Sequence, residues 1–256
     1  MSQQPAVRLE FDERRAVLTL SRPPLNVLDL AALAELEAAA GYLEGQDGLQ
    51  TVVVQGSQRA FSAGVSIHDH TSDKIEPMLG RFHAALRSLD RLDAVTVAAV
   101  RGHCLGGGME LASVCDLVVA SDDSRFGQPE IDVGCFPPLA AALYPSLLGP
   151  RVAADLILTG RLLDAREAHA LGFVSRLVPR ASFDDALEEL LAQLESKSRA
   201  ALRLTKKALR AGRGPFWQQA LAECEKIYLD DLSRTEDLGE GVQAFIEKRS
   251  AVWRHR

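Results

Sequence analysis

Apolar residues recur with two different periods along this chain, and the change from one to the other divides it. Val7-Arg8-Leu9-Glu10-Phe11 and Ala16-Val17-Leu18-Thr19-Leu20 alternate at period two around the charged residues 12–15, which predicts a β-hairpin. Arg22-Pro23-Pro24 ends it, because two prolines cannot extend a ladder. Asp29 then opens a helix through about Leu43, with Leu33, Leu36, Ala40 and Leu43 on one face. Thr51–Gln55, Ala94–Val100, Asp116–Ala120 and Phe173–Val178 read as buried strands. Residues 56–64 and 124–130 read as loops, and residues 71–92 as a helix with Met78, Leu79, Phe82, Leu86 and Leu89 inward. Pro138 and Gly149-Pro150 punctuate helices at 139–148 and about 151–158. Asp164-Ala165-Arg166-Glu167 starts a further helix that Gly172 stops. From Phe183 onward only helical patterns remain, at 183–195, 198–211, 215–231 and 237–249. Strands alternating with helices and then helices alone predict an α/β core with a helical tail. The tail's apolar positions Leu221, Ile227, Tyr228, Val242, Phe245 and Ile246 exceed what one chain is expected to cover, which points to an oligomer.

One stretch breaks the pattern. In Gly102-His103-Cys104-Leu105-Gly106-Gly107-Gly108-Met109-Glu110, glycines stand together where a buried strand passes into a helix. Each glycine costs a helix about 1 kcal/mol against alanine, so propensity does not explain them. They suit backbone that approaches a ligand closely. The free N–H groups of the helix start then face an anionic oxygen, with Glu110 one turn in. Donors for an oxyanion beside a carboxylate suggest chemistry on a carbonyl compound.

Composition narrows the class. The chain has 256 residues, 47% of them apolar, which supports a large core. A formal charge of −6 counts against nucleic acid as the main partner. Cys104, Cys115, Cys135 and Cys224 have no metal or disulfide spacing and read as reduced thiols of a cytoplasmic protein. The polar start, Met1–Pro5, carries no leader pattern, and no apolar run is long enough for a membrane span. His68-Asp69-His70 lacks a third ligand and reads as a loop, not a metal site. His103 reads as a packed residue, and Trp217 and Trp253 as helix packing.

Three segments in order resemble the crotonase (enoyl-CoA hydratase/isomerase) superfamily. They are Arg59-Ala60-Phe61-Ser62-Ala63-Gly64-Val65-Ser66-Ile67, Gly102 through Asp116, and Phe126-Gly127-Gln128-Pro129-Glu130-Ile131. Ser21-Arg22-Pro23 with Asn26, and Glu240-Gly241 with Ala244 through Arg249, are lesser matches. The resemblance implies a crotonase-like spiral of ββα units over 1–195 and a C-terminal helical region over 196–256 that makes trimers or hexamers and completes the coenzyme site. It implies an acyl-CoA substrate and no further cofactor. The oxyanion hole would be the N–H groups of Val65 and Gly107. Ala63 and Val65-Ser66-Ile67-His68 would line the coenzyme arm, and Arg22, Arg59 and Lys248, the last from this chain or from a neighbouring subunit, would meet its phosphates. Glu110 would take a proton from water adding to C3, and Glu130 would deliver one to C2.

Taken alone, Glu110 is an ordinary first-turn acid and Glu130 a surface charge; the ordered set of motifs favours catalysis. The activity implied is enoyl-CoA hydration. The isomerase of the same fold needs only one acid/base, a thioester hydrolase would send water to the carbonyl, and a binding protein, even one that meets RNA, would need neither carboxylate. The chain departs from the family at Ser66, where Asp is usual, and at Phe136-Pro137-Pro138-Leu139-Ala140-Ala141, where glycines are usual. Asp69-His70, Asp73-Lys74 and Phe136-Pro137-Pro138 are similar to hydratases of cyclohexa-1,5-diene-1-carbonyl-CoA from anaerobic aromatic degradation.

Overall fold

Strand β3 (Thr51–Gln55) and strand β5 (Val95–Val100) pair in parallel at the centre of a six-stranded sheet. Around them the order is β1 (Val7–Phe11), β2 (Arg15–Leu20), β3, β5, β7 (Leu117–Ser121) and β10 (Arg176–Val178). Only the β1–β2 hairpin is antiparallel. The computed structural model describes residues 5–71, 73–213 and 216–256. The expected helix start at residue 215, residue 72 of the expected 71–92 helix and the N-terminal residues 1–4 lie outside these.

The central strands are buried on both faces, hence their unbroken apolar runs. Val53, Val97 and Val119 pack on one side against Phe183, Leu187, Leu190 and Leu191 of helix α7 (Phe183–Glu195). Val52, Val54, Ala98 and Val118 face the other side and join the main core. There they meet helix α1 (Leu30–Glu44), helix α2 (Ile75–Arg91) and a second sheet. Asp29 caps α1 as expected, accepting from the Ala32 N–H at 2.9 Å.

The second sheet consists of three-residue strands: β4 (Ala60–Ser62), β6 (His103–Leu105), β8 (Arg125–Gly127) and β9 (Leu162–Asp164). Strands β4, β6 and β8 fall where the sequence reads as loop or turn, and β9 falls at the expected helix start Asp164 and the two residues before it, because three residues are too few to display a period. Strands β4, β6 and β8 run parallel, each a few residues after a strand of the first sheet. Strand β3 leads to β4 and α2; β5 leads to β6 and helix α3 (Gly107–Ser113). This is the repeating ββα spiral. Its parallel strands place their C-terminal ends side by side, so three loops distant in sequence emerge together.

Asn26 secures the first of these loops. Its side chain is buried and its φ is +52°, and its amide donates to Ala60 O and Phe61 O at 2.9 and 3.1 Å while accepting from Arg22 N at 2.9 Å. Asn26→Ala strips partners from buried backbone groups and should cost about 3 kcal/mol, lowering the melting temperature by roughly 5–10 °C in thermal unfolding.

The remaining helices are α4 (Pro138–Leu147), α5 (Pro150–Thr159), α6 (Ala165–Ala170), α8 (Arg199–Arg213), α9 (Phe216–Lys226) and α10 (Glu236–Glu247). Helix α9 lies against α4, and α10 against the single-turn segment Pro129–Val133. Leu221, Tyr228 and Val242 of the tail are therefore buried within the chain, whereas Ile227, Phe245 and Ile246 stay exposed. Trp217 is buried, but Trp253 lies beyond α10, partly exposed near Gly134, and does not belong to a helix. All four cysteines are free thiols. Among the described residues no helix is long and apolar enough to cross a membrane.

Candidate active site

A cavity of about 570 Å³ opens where the ends of β4, β6 and β8 converge. The chain leaving β4 supplies Ala63, Val65, Ser66, Ile67 and His68; the chain leaving β6 supplies Gly107 and Glu110; the chain leaving β8 supplies Glu130. Eight residues expected at the site from sequence are thus brought together.

Local backbone geometry turns two N–H groups free. Leu28 bridges to Val65 by donating to Gly64 O and accepting from Ser66 N, at 2.9 and 2.8 Å. That pattern skips the N–H of Val65 itself. Gly107 is the first residue of α3, where an N–H has no intrahelical acceptor. Among the described residues neither group donates within the protein. The two segments touch: a Cβ on Gly64 would stand 3.3 Å from Gly107 N, and a Cβ on Gly107 would meet Val65 Cγ2 at 2.9 Å.

Glu110 is buried, and its Oε1 accepts from Ala140 N at 2.9 Å, with the Leu139 N–H a second donor. Those donors are the first turn of α4, opened by Pro138. The Pro-Pro sequence that departs from the family therefore still delivers free helix N–H groups, here to a carboxylate. Burial raises the Glu110 carboxyl above the ordinary carboxylate range, while nearby His83 and the Ala140 and Leu139 N–H groups oppose the rise.

Glu130 is half-buried in the Pro129–Val133 turn. Burial pushes its carboxyl well above the ordinary range, and the negative charge of Glu110 adds to this. With the Gln128 amide oriented to satisfy both its ends, Nε2 donates to Glu130 Oε2 at 3.1 Å and Oε1 accepts from Tyr144 OH at 2.7 Å. Two interacting carboxyls titrate as a pair. Two α4 backbone donors address Glu110, whereas Glu130 has only its own N–H, and its carboxyl is pushed up the further of the two. The cavity thus brings together two interacting carboxyls and two backbone N–H groups that donate to no described residue.

The three expected phosphate partners do not line this cavity. Arg22 is paired with Asp29. Arg59 precedes β4, so it stands at the strand end away from the cavity and lines a separate depression with Arg125 and Arg180. Lys248 caps α10 in a left-handed conformation, φ +54°. Arg249 reaches the cavity wall but is held by Glu240 and Glu247. His68 and His70 do line the cavity, and among the described residues no group of three metal-capable side chains exists. Sequence reasoning missed His83 and Tyr228, both fully buried in the wall. The one available signal was a histidine set among the inward apolar positions of α2.

Comparison with known proteins agrees with this geometry. The enoyl-CoA hydratase/isomerase family profile matches residues 10–256. A cyclohexa-1,5-dienecarbonyl-CoA hydratase of Thauera aromatica is 36% identical over 98% of this chain and 96% of that protein. A short-chain-enoyl-CoA hydratase of Clostridium acetobutylicum is 33% identical over 95% of both chains. The crystal structure of an enoyl-CoA hydratase from Mycobacterium avium subsp. paratuberculosis K-10 superimposes with a TM-score of 0.89 at 26% identity, covering 97% of this chain and 98% of that one. The ββα spiral, the converging loops and these matches over nearly the whole length place the chain in the enoyl-CoA hydratase/isomerase family, the crotonase superfamily.

Proposed function

We propose that the protein hydrates an α,β-unsaturated acyl-CoA, with Glu110 as base and Glu130 as acid. The thioester oxygen sits between the N–H groups of Val65 and Gly107, which stabilise it as it becomes an enolate oxygen. Water adds its oxygen to C3 and gives one proton to Glu110. The electron pair of the C=C bond moves toward the carbonyl, and Glu130 returns a proton to C2. Turnover ends with the carboxyl pair exchanging one proton to restore the starting state. The observation that carries this reading is the asymmetry of the pair: two N–H groups of α4 address Glu110, whereas the only backbone donor to Glu130 is its own N–H.

A cyclic dienoyl-CoA is the second substrate reading. Phe136, Pro137 and Pro138 form a stiff wall of the cavity, and Phe136 packs 5.1 Å from the Tyr228 ring. The Thauera aromatica relative carries such a substrate in its name. A panel of crotonyl-CoA and cyclohexa-1,5-diene-1-carbonyl-CoA, followed by loss of conjugated-thioester absorbance and by product mass, tests both. A gain of one water in either supports hydration; unchanged mass with a moved double bond overturns it in favour of isomerisation.

The proton assignment predicts a pH profile. Activity should rise as Glu110 ionises, above the ordinary carboxylate range, and fall at higher pH as Glu130 loses its proton. Stability follows the opposite sense from a normal surface acid. Both carboxyls bind protons more tightly folded than unfolded, so stability is greatest below the ordinary carboxylate range and declines as pH rises toward the folded values. Glu130→Gln removes this penalty and should raise the melting temperature at pH 8 by a few degrees while abolishing turnover.

We also propose that residues 196–256 form the assembly region of a homotrimer or a hexamer. Ile227, Phe245 and Ile246 are exposed there, at 50, 59 and 40%. Light scattering should give a mass of three or six chains; a monomer overturns this.

A further inference from the structure

His83 is fully buried in α2 and lines the cavity, yet the hydration mechanism above does not use it. Its Nδ1 lies 2.6 Å from Glu225 Oε1 of α9, and Arg87 donates to the same oxygen at 2.9 Å. Burial works against an ionised Glu225, but His83 and Arg87 outweigh it and hold the carboxyl below the ordinary range. An ionised carboxylate can only accept, so Nδ1 carries the ring's proton. When the ring carries that one proton only, Nε2 is a bare acceptor. It is buried and, among the described residues, has no hydrogen-bond partner. An unmet buried acceptor is costly, so the position calls for an O–H donor from whatever enters the cavity.

An unsaturated acyl chain has no such donor, and its thioester oxygen belongs at Val65 and Gly107. Met78, Phe82 and Phe136 of the cavity wall are apolar and offer none, and the Tyr228 hydroxyl is directed to Cys135. One O–H is nevertheless present throughout hydration: that of the water, and then that of the product. We propose that His83 Nε2 accepts a hydrogen bond from the water that adds to C3 and keeps it with the hydroxyl that results. This rests on the hydratase reading of the same site. Water has two hydrogens. One leaves to Glu110, which lines the same cavity as His83. The other stays on the oxygen and points at Nε2, which fixes the oxygen's lone pair toward C3. No proton is transferred to the histidine. Glu225 and Arg87 act as positioning residues that hold the ring in this tautomer.

The test compares His83→Leu, His83→Gln and Glu225→Gln in the full-length protein. Two readouts are taken: kcat for hydration of crotonyl-CoA, and equilibrium binding of 3-hydroxybutyryl-CoA against butyryl-CoA. Losing one buried hydrogen bond should lower kcat of His83→Leu about ten- to a hundredfold. Affinity for 3-hydroxybutyryl-CoA should fall about tenfold, with butyryl-CoA, which lacks the hydroxyl, unchanged within twofold. Glutamine puts an amide near the place of Nε2 and should recover part of both losses. Glu225→Gln, a change at a partly exposed residue, should lower kcat by a smaller factor, and it carries the test with His83→Gln if the leucine variant does not fold. Equal loss of affinity for both ligands, or no change in either readout, overturns the proposal. A wild-type protein that hydrates no enoyl-CoA overturns the reading of the site and this proposal with it; normal wild-type hydration with unaltered His83 variants overturns this proposal alone.

Discussion

Glu110→Gln should lower kcat for hydration by about a thousandfold, within the range that general acid–base groups contribute. The carboxylate that accepts from Ala140 and Leu139 is the group proposed to take the proton from water. An amide in its place still accepts from Ala140 N through its oxygen, so the first turn of α4 keeps a partner. It has no basic lone pair for the water. Binding of a saturated acyl-CoA should therefore survive, because the N–H groups of Val65 and Gly107 and the cavity wall are untouched. Steady-state turnover of crotonyl-CoA and calorimetric binding of butyryl-CoA separate the two effects. Turnover within threefold of wild type in both Glu110→Gln and Glu130→Gln would remove the carboxylates from the mechanism. Equal loss of binding and turnover would mark Glu110 as a support of α4 only.

Much of the spiral was readable because its long elements carry strong periods. The β1–β2 hairpin, α1 with Asp29, β3, β5 and α7 appear where the alternation and the 3.6-residue pattern put them. The second sheet was not readable, since β4, β6, β8 and β9 are three residues each and draw stability from lateral pairing. That omission has a consequence at the site. Without β4 there is no strand direction to show that Arg59 precedes the strand and Val65 follows it. The glycine run and both glutamates were readable, because close backbone approach and paired acids leave few substitutes. The His83–Glu225 pair spans 142 positions, and each partner alone looks ordinary in its helix. Only packing of α9 near α2 reveals it.

The glycine at the oxyanion turn makes the sharpest demand on the sequence. Gly106 has φ +52° and ψ −130°, a combination that side chains strongly disfavour. A Cβ there would also stand 2.5 Å from Glu130 Oε1, closer than any relaxed contact. Its N–H is committed to Gly127 O at 2.9 Å and its carbonyl to Glu110 N at 3.0 Å, so the backbone is tied on both sides and cannot turn away freely. Gly106→Ala should therefore do two things at once. It should cost about 2–3 kcal/mol from backbone strain, seen as a fall of several degrees in melting temperature. It should also displace the Glu130 carboxyl and lower turnover at least a hundredfold. Gly80 provides the contrast, since it sits inside α2 with nothing within 4 Å of an added Cβ. Gly80→Ala should stabilise by about 0.5–1 kcal/mol and leave activity near wild type. Thermal melts and crotonyl-CoA turnover of the two variants decide the matter: a Gly106→Ala protein that melts and turns over like Gly80→Ala would show that this turn does not set the position of the acid.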